Sequence, residues 1–148
     1  MNLDNKDLKI LAILKDNSKL TTSKISKKTA IPITTIHNRI KKLEKLGIIK
    51  NYTVVLDNKK IGKELGAYIL ITVDYKLLNE KGLSQYQVAE KIKKYDAVEE
   101  VSMITGQSDI IAKIRVKNIE DASNFVTKEL RNIDGIEKTQ TMVVLTEI

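Results

Sequence analysis

The N-terminal fold is decided by residues 20–49, which read LTTSKISKKTAIPITTIHNRIKKLEKLGII. Thr21 or Thr22 can cap a short first helix through its side-chain oxygen. Pro32 suits the first turn of a second helix, because its missing N–H would be unpaired there in any case. Gly47 ends that second helix in the left-handed conformation that glycine adopts without strain. The stretch therefore predicts two helices joined by a tight turn.

The second of these helices has one apolar and one polar face. Ile36, Ile40 and Leu43 recur at i, i+4 and i+7, a spacing that places them on the same side of a helix, and Leu46 continues the stripe. A helix that buries this stripe presents its other side to solvent. That side, with its flanks, carries short polar and basic side chains: Thr34, Thr35, His37, Asn38, Arg39, Lys41, Lys42 and Lys45.

The charge of the chain is concentrated in the half that contains this helix. Residues 1–62 hold 14 Lys and Arg against 5 Asp and Glu, whereas residues 63–148 hold 12 against 14. A basic segment attracts the phosphates of nucleic acid through counterion release, and a nearly neutral one does not. A solvated lysine-rich surface is the simpler alternative. The helical periodicity in the same segment favours binding to double-stranded DNA.

The polar face offers both kinds of DNA contact. Asn38 can pair with adenine through two hydrogen bonds, and Thr34 and Thr35 are short enough to reach base edges. The lysines and Arg39 suit phosphate oxygens. Each residue keeps a simpler alternative, which is solvent exposure for the polar ones and for His37. Arg39 can instead tie the helix-turn-helix to itself or to a neighbouring carboxylate.

Composition limits the other functions. The chain has no cysteine and one histidine, so we expect neither disulfides nor a thiolate or multi-histidine metal site, and we predict no cofactor and no catalytic residue. Its apolar runs are too short to span a bilayer. The first fifteen residues include acidic side chains and have a helical period, unlike a signal peptide, so we expect a cytoplasmic protein.

We predict three segments along the chain. Residues 1–56 form the DNA-binding domain, which opens with a helix capped by Asp4 and Asp7 and closes with a strand at residues 48–56. Residues 57–66 are typical of a linker. Residues 67–148 form a second domain, whose signals alternate between strands and helices.

The order of elements in the second domain predicts a ferredoxin-like βαββαβ fold, and hence an α+β protein with an N-terminal winged-helix-like helix-turn-helix. In that topology both helices cover one face of the sheet. The other face is left bare, and it should be hidden against a second subunit. The predicted elements are strands 67–75, 98–105, 110–117 and 137–147 and helices 84–95 and 120–130, and the apolar residues assigned to the bare face are Leu70, Met103, Ile111 and Val143.

Taken together, these features resemble the Lrp/AsnC family of leucine-responsive and asparagine-related regulators, the feast/famine proteins of prokaryotes, archaea included. The resemblance covers nearly the whole chain. It rests on Leu3-Asp4-x-x-Asp7 with Ile10-Leu11 and Leu14, on Thr34-Thr35-Ile36-x-x-Arg39-Ile40-x-x-Leu43-Glu44-x-x-Gly47-Ile48-Ile49, on Leu56-Asp57 with Ile61-Gly62, and on Thr105-Gly106-x-x-Asp109.

The resemblance implies a regulator whose C-terminal domain dimerises, assembles tetramers, octamers or larger discs, and binds a small effector, commonly an amino acid. It places the effector site at Thr105, Gly106, Gln107, Ser108, Asp109, Thr139 and Thr141. Asp109 can instead stabilise its own turn, and the two threonines can be ordinary strand residues. The chain departs from the family at Ala30, where glycine is common in the turn, and at Pro32, where serine is common. We expect Ala30 to adopt a turn that is not left-handed.

Two other functional classes remain open. Sirohaem decarboxylase subunits share this two-domain architecture and use basic residues and histidine around the carboxylates of a tetrapyrrole. Here the basic residues lie on the second helix of residues 20–49, and a single histidine provides little acid–base chemistry. An architectural protein that wraps DNA with little specificity is the other alternative.

Overall fold

The computed structural model describes residues 3–147. Internal contacts divide the chain into two units, Met1–Val55 and Leu56–Ile148. The first unit contains helices α1 (Asn5–Asp16), α2 (Thr22–Thr29) and α3 (Ile33–Lys45). Their apolar faces meet in one small core, made of Ile10, Leu14, Ile25, Ile31 and Ile36.

Helix α1 begins with the predicted capping box. The Asp4 carboxylate accepts hydrogen bonds from the backbone N–H groups of Lys6 and Asp7, at 2.8 and 3.0 Å. In return, the Asp7 carboxylate accepts from the Asp4 N–H at 3.2 Å. Because these bonds satisfy donors that would otherwise lack an intrahelical partner, they fix where the helix starts.

The turn between α2 and α3 corrects one prediction. Thr21 caps α2 as expected, but Ala30 adopts the left-handed conformation, with φ +56° and ψ +23°. A Cβ atom is unfavourable there, at about 1–2 kcal/mol. The conformation is held by hydrogen bonds on either side: Ala30 N–H donates to Ser26 O at 2.8 Å, and the Ser26 hydroxyl donates to Ile31 O at 2.6 Å.

Helix α3 follows the sequence prediction except at its end. Pro32 occupies the N-cap position and supplies no side-chain cap. Ile36 and Leu43 are buried, and Gly47 has the expected positive φ of +68°. Leu46, predicted to continue the apolar stripe, is 44% exposed, because the helix stops at Lys45 and the chain turns away there.

The strand predicted at residues 48–56 is not formed. Residues 46–49 are turn and bend, and residues 50–57 have no regular structure. Within the described residues 3–55 there is no other strand to pair with this segment, and an isolated strand is not stable in water. Its later apolar side chains are consequently open to solvent, with Val54 75% and Val55 fully exposed, whereas Ile49 packs against the core of this unit.

The second unit has the predicted ferredoxin-like fold. Its elements are β1 (Leu65–Val73), α4 (Tyr75–Lys81), α5 (Gln85–Lys93), β2 (Val98–Met103), β3 (Ile110–Val116), α6 (Ile119–Asn124) and β4 (Ile136–Val143). The four strands form one antiparallel sheet in the order β2-β3-β1-β4. A π-helical turn, Phe125–Glu129, and a 3₁₀ turn, Leu130–Asn132, extend α6.

Helix α4 was not predicted. The first strand was expected to extend to Tyr75, but it ends at Val73, and Asp74 caps a new helix by accepting a hydrogen bond from Leu77 N–H at 2.9 Å. Gly82 closes that helix in the left-handed conformation. An aspartate and a glycine at this spacing are ordinary helix start and stop signals, so the sequence does contain the information for this helix.

The helices cover one face of the sheet, where Ala67, Ile69 and Ile71 are buried with residues of the helices. Leu70 and Ile111 are paired on the other face, as predicted, and are partly exposed. Met103 and Val143 were assigned wrongly. Their directly opposite partners, Ile110 and Ala67, are buried on the helix-covered face, and side chains that face each other across a ladder lie on the same side.

Candidate DNA-binding surface and ligand-binding turn

The polar face of α3 projects into solvent. Six of the eight residues predicted to contact DNA are exposed, namely Thr34, His37, Asn38, Lys41, Lys42 and Lys45. The other two, Thr35 and Arg39, are partly buried at the edge of the helix. Since the opposite face is anchored by fully buried Ile36, these side chains are presented by a fixed element. Such a row can reach base edges and phosphates in a groove of the duplex.

Arg39 forms ion pairs within the chain. Its Nη1 donates to Asp4 Oδ2 at 2.7 Å and to Asp7 Oδ1 at 2.8 Å. These are the two carboxylates of the α1 capping box, so a single guanidinium nitrogen joins the start of α1 to the middle of α3. The sequence allowed Arg39 to contact either DNA phosphate or a neighbouring carboxylate, and within this chain it contacts two carboxylates. A role for Arg39 in contacting phosphate stays a prediction.

The electrostatics of this cluster follow from its geometry. Hydrogen bonds from the Asp7 backbone and then from Arg39 lower the pKa of Asp4. The Asp4 carboxylate, followed by that of Asp7, raises the pKa of Arg39. Asp7 is only 6% exposed, and a buried carboxylate needs a charged or hydrogen-bonding partner. Arg39 therefore stays charged and fixes the orientation of α3 against α1.

A second contact ties the segment after α3 to the helix. The Tyr52 hydroxyl donates to Glu44 Oε1 at 2.7 Å. Partial burial of the hydroxyl and this hydrogen bond raise the pKa of Tyr52 to about 12. Sequence patterns did not single out Tyr52, because its partner, Glu44, lies eight residues earlier and no periodicity links the two positions.

In the second unit, the predicted effector residues Thr105, Gly106, Gln107, Ser108 and Asp109 form the turn between β2 and β3. Gly106 has a φ of +128°, which a residue with a side chain rarely adopts. The turn is closed by a hydrogen bond from Ile104 N–H to Asp109 O at 2.9 Å. The first three residues are exposed, and Ser108 and Asp109 are partly buried.

Asp109 connects this turn to three other elements. Its Oδ2 accepts from Val73 N–H at the end of β1, at 2.9 Å, and its Oδ1 accepts from the Tyr75 hydroxyl at the start of α4, at 2.8 Å. The Gln85 side chain, at the start of α5, donates to Asp109 O at 2.7 Å. The carboxylate of Asp109 raises the pKa of Tyr75. Each carboxylate oxygen therefore already has one donor.

Sequence reasoning missed Tyr75 and Gln85. The predicted first strand extends to Tyr75, so the pattern does not indicate a helix start there. Gln85 lies at the polar start of a predicted helix, where only the apolar face shows a pattern. The capping signal at Asp74 could have revealed the first. Nothing local to Gln85 indicates a contact with a residue 24 positions away.

The two predicted effector threonines lie apart from this turn within one chain. Thr139 and Thr141 are on β4, opposite Ile71 and Ile69 of β1, whereas Asp109 precedes β3 on the other side of β1. Two strand spacings separate β3 from β4, roughly 10 Å. Thr141 instead lines a cavity of about 330 Å³ between β4 and α6.

Two further features of residues 3–147 bear on function. No group of three or more His, Cys, Asp or Glu side chains within this range is arranged to hold a metal ion. Over the same range, none of the helices combines the length and the apolarity that a membrane crossing requires.

Comparisons with known proteins agree with this division into two units. Residues 3–50 match the family model described as winged helix-turn-helix DNA-binding, and residues 67–148 match the Lrp/AsnC ligand binding domain. The HTH-type transcriptional regulator FL11 of Pyrococcus furiosus is 40% identical over 143 residues, which is 97% of this chain and 89% of the relative.

Two solved structures extend the comparison to the fold. The transcriptional regulator NMB0573 of Neisseria meningitidis, in complex with L-Met, is 26% identical with a TM-score of 0.86, and the match covers 99% of this chain and 92% of that one. The LrpC protein of B. subtilis is 27% identical with a TM-score of 0.85, covering 100% and 98%.

Proposed function

Since the chain belongs to the Lrp/AsnC family of transcriptional regulators, we propose that it reads a specific operator with the exposed face of α3 and that a small effector modulates this binding. The observation that carries the proposal is the row of exposed polar and basic side chains on a helix that is buried on its other side. The net charge of +9 in residues 1–62 supports it by attracting the DNA backbone.

The DNA part is tested by measuring affinity at one fixed salt concentration. The full-length protein is titrated with a duplex from upstream of its own gene and with a random-sequence duplex of equal length. A specific regulator binds its operator at least a thousandfold more tightly than random DNA. Equal affinity for both would favour the architectural, DNA-wrapping alternative. Genome-wide mapping of bound sites would then identify the operator and, through the neighbouring genes, the metabolite.

We propose that the effector is an amino acid and that it binds at the β2–β3 turn. The C-terminal unit matches a ligand binding domain, and one structural relative was solved with L-Met. The turn offers an accessible backbone at Gly106 and a carboxylate at Asp109, and a carboxylate suits an ammonium group. Thr139 and Thr141 lie beyond β1 in the same chain, and we propose that they join such a site from another subunit.

The effector proposal is tested by calorimetric titration of the full-length protein with each of the twenty standard amino acids. Binding of at least one, together with a change in DNA affinity when it is present, is the expected result. Because coupling is reciprocal, DNA must change the affinity for that amino acid by the same factor. An amino acid that binds without any such coupling would contradict an effector role.

We further propose that the protein forms a homodimer through the open face of the sheet and that dimers associate into tetramers, octamers or larger assemblies. Tyr68 and Met142 are paired on that face beside Leu70 and Ile111, and the first two are 37% and 41% exposed. Apolar side chains grouped on one face are ordinarily covered by a partner. Light scattering on residues 63–148 alone should show a dimer, and a monodisperse monomer would contradict this interface.

We propose that the protein has no catalytic activity and no cofactor and that it acts on DNA in the cytoplasm. The sirohaem decarboxylase alternative is tested by the visible spectrum of the purified protein. A bound tetrapyrrole absorbs intensely in the visible range, so such a band would contradict the proposal. We expect no absorption at wavelengths longer than those at which tyrosine absorbs.

A further inference from the structure

The two donors to the Asp109 carboxylate differ in how easily they can leave. The Val73 N–H belongs to the backbone at the end of β1, so it cannot withdraw from Oδ2 without unravelling the strand. The Tyr75 hydroxyl is at the tip of a side chain that is 54% exposed. Because Tyr75 does not belong to the buried core cluster, its ring can turn into solvent without opening the core. Oδ1 of Asp109 is therefore the oxygen to which a ligand can donate a hydrogen bond in place of Tyr75.

Gln85 plays a different part in the same cluster. Its side-chain amide donates to the backbone oxygen of Asp109, and not to the carboxylate. It holds the main chain at the end of the turn, and a ligand at Oδ1 would not compete with it. Its contact with Tyr75, at 3.4 Å from the hydroxyl to Gln85 Oε1, is long for a hydrogen bond between oxygens. Tyr75 is thus held mainly by Asp109.

We propose that Tyr75 gates the ligand site at the β2–β3 turn: its hydroxyl occupies Asp109 Oδ1 in the ligand-free protein, and the ammonium group of an amino acid replaces it there. The inference rests on the proposed effector site. An ammonium is a charged donor and forms a stronger hydrogen bond to a carboxylate than a neutral phenol does, so the exchange is favourable. Displacement also releases the first residue of α4, which links ligand binding to a helix outside the turn.

Tyr75 thereby tunes affinity, because every ligand must first break its hydrogen bond to Asp109. A hydrogen bond to a charged group is stronger than one between neutral groups, and exposure of the ring weakens this one through competition with water. Removing only the hydroxyl should make ligand binding tighter. Removing the Gln85 amide should make it weaker, because the turn that presents Asp109 loses a support.

The test uses the full-length protein and three variants, Tyr75→Phe, Gln85→Ala and Tyr86→Phe. Tyr86 is the matched control, since it is a tyrosine of similar exposure, 60%, on the neighbouring helix. Each protein is titrated calorimetrically with the twenty standard L-amino acids and with the N-acetyl form of any that binds. We expect Tyr75→Phe to tighten binding roughly tenfold. Gln85→Ala should weaken it, Tyr86→Phe should not change it, and acetylation should abolish it.

A thermal melt without ligand separates this role from a purely structural one. Tyr75→Phe should lower the melting temperature slightly while it raises ligand affinity, and a residue that merely stabilises the turn would move both in the same direction. If Tyr75→Phe binds the amino acid with the same affinity as the wild type, or more weakly, the gate is overturned but the effector proposal stands. If no amino acid binds any of the proteins, both proposals fail.

Discussion

The polar face of α3 and the turn between β2 and β3 use their side chains in opposite ways. On α3, Asn38 and Lys41 extend into solvent from a helix whose position is fixed by other residues. In the turn, the principal side chain, Asp109, is bound within the chain by Val73 and Tyr75. The first surface is free to meet a large rigid partner, and the second must give up an internal hydrogen bond to accept a small one.

The fixed position of α3 depends on residues outside its exposed polar face. Ile36 is fully buried, and Arg39 binds Asp4 and Asp7 of α1. A helix supported in this way would present the proposed contact residues to a DNA groove without further ordering. In the turn, support and binding are not assigned to different residues, because Asp109 both stabilises the turn and is the proposed binding group.

The largest expected difference between the two regions is in stability. Asp109→Ala removes the acceptor of Val73 N–H and of the Tyr75 hydroxyl, so we expect it to destabilise the second unit by about 2 kcal/mol. Asn38→Ala removes no hydrogen bond within the described part of the chain and should change stability by no more than about 0.5 kcal/mol. Chemical denaturation of both variants gives the two free energies of unfolding. Equal losses of stability would contradict the distinction between a bound side chain in the turn and an unbound one on α3.

Arg39 and Lys41 should separate support from contact on the helix itself. Lys41→Ala should weaken binding to operator and random DNA alike and reduce the salt slope by about one unit, because one DNA phosphate no longer has a lysine beside it. Arg39→Ala should leave the salt slope unchanged and reduce operator binding more than random binding, because α3 loses its anchor. A slope that falls by one unit in Arg39→Ala would instead assign Arg39 to the phosphate backbone.

The support of α3 also begins at the turn before it, where Ala30 has the left-handed conformation. Ala30→Gly should raise the stability of the first unit by about 0.5–1 kcal/mol, since glycine relieves the strain at a smaller entropic cost. Ala12→Gly, in the middle of α1, is the matched control and should lower stability by about 1 kcal/mol. Thermal melts of both variants check the opposite signs. DNA affinity should be unaffected by Ala30→Gly, which changes no exposed side chain of α3.

The smallest effect is the pH dependence of the ion pair between Arg39 and Asp4. The pKa of Asp4 is lowered in the folded chain, so its contribution to stability is present above the unfolded value of 3.8 and is lost as the pH falls through the folded one. Asp4→Asn keeps a good N-cap but loses the charge that Arg39 binds. The variant should be less stable at neutral pH, and its stability should fall less steeply in acid. Denaturation at pH 7 and pH 3 measures both.

How far the sequence predicts each region follows from the same contrast. The buried stripe and the exposed row of α3 are set by a local period of 3.6 residues, so both were predicted correctly apart from Leu46 at the helix end. The fold of the second unit was likewise predicted, because its strands and helices alternate clearly. Met103 and Val143 were placed on the wrong face, since their side depends on strand register, which short apolar runs do not specify.

Long-range contacts were the part that sequence patterns could not supply. Arg39 meets Asp4 and Asp7 across 35 and 32 positions, and Tyr75 meets Asp109 across 34. No periodicity encodes such pairs. The predicted strand at residues 48–56 fails for a related reason, because an alternating pattern indicates a strand only where a partner is available.

Whether the exposed face of α3 reads base sequence can be decided with the double variant Thr34→Ala, Asn38→Ala. Its affinity for the upstream duplex and for a random duplex is compared with that of the wild type at one salt concentration. We predict that operator binding weakens by about 1–3 kcal/mol for each side chain that pairs with a base, while random binding is unchanged. An unchanged ratio of the two affinities, or an equal weakening on both duplexes, would contradict sequence reading by this face.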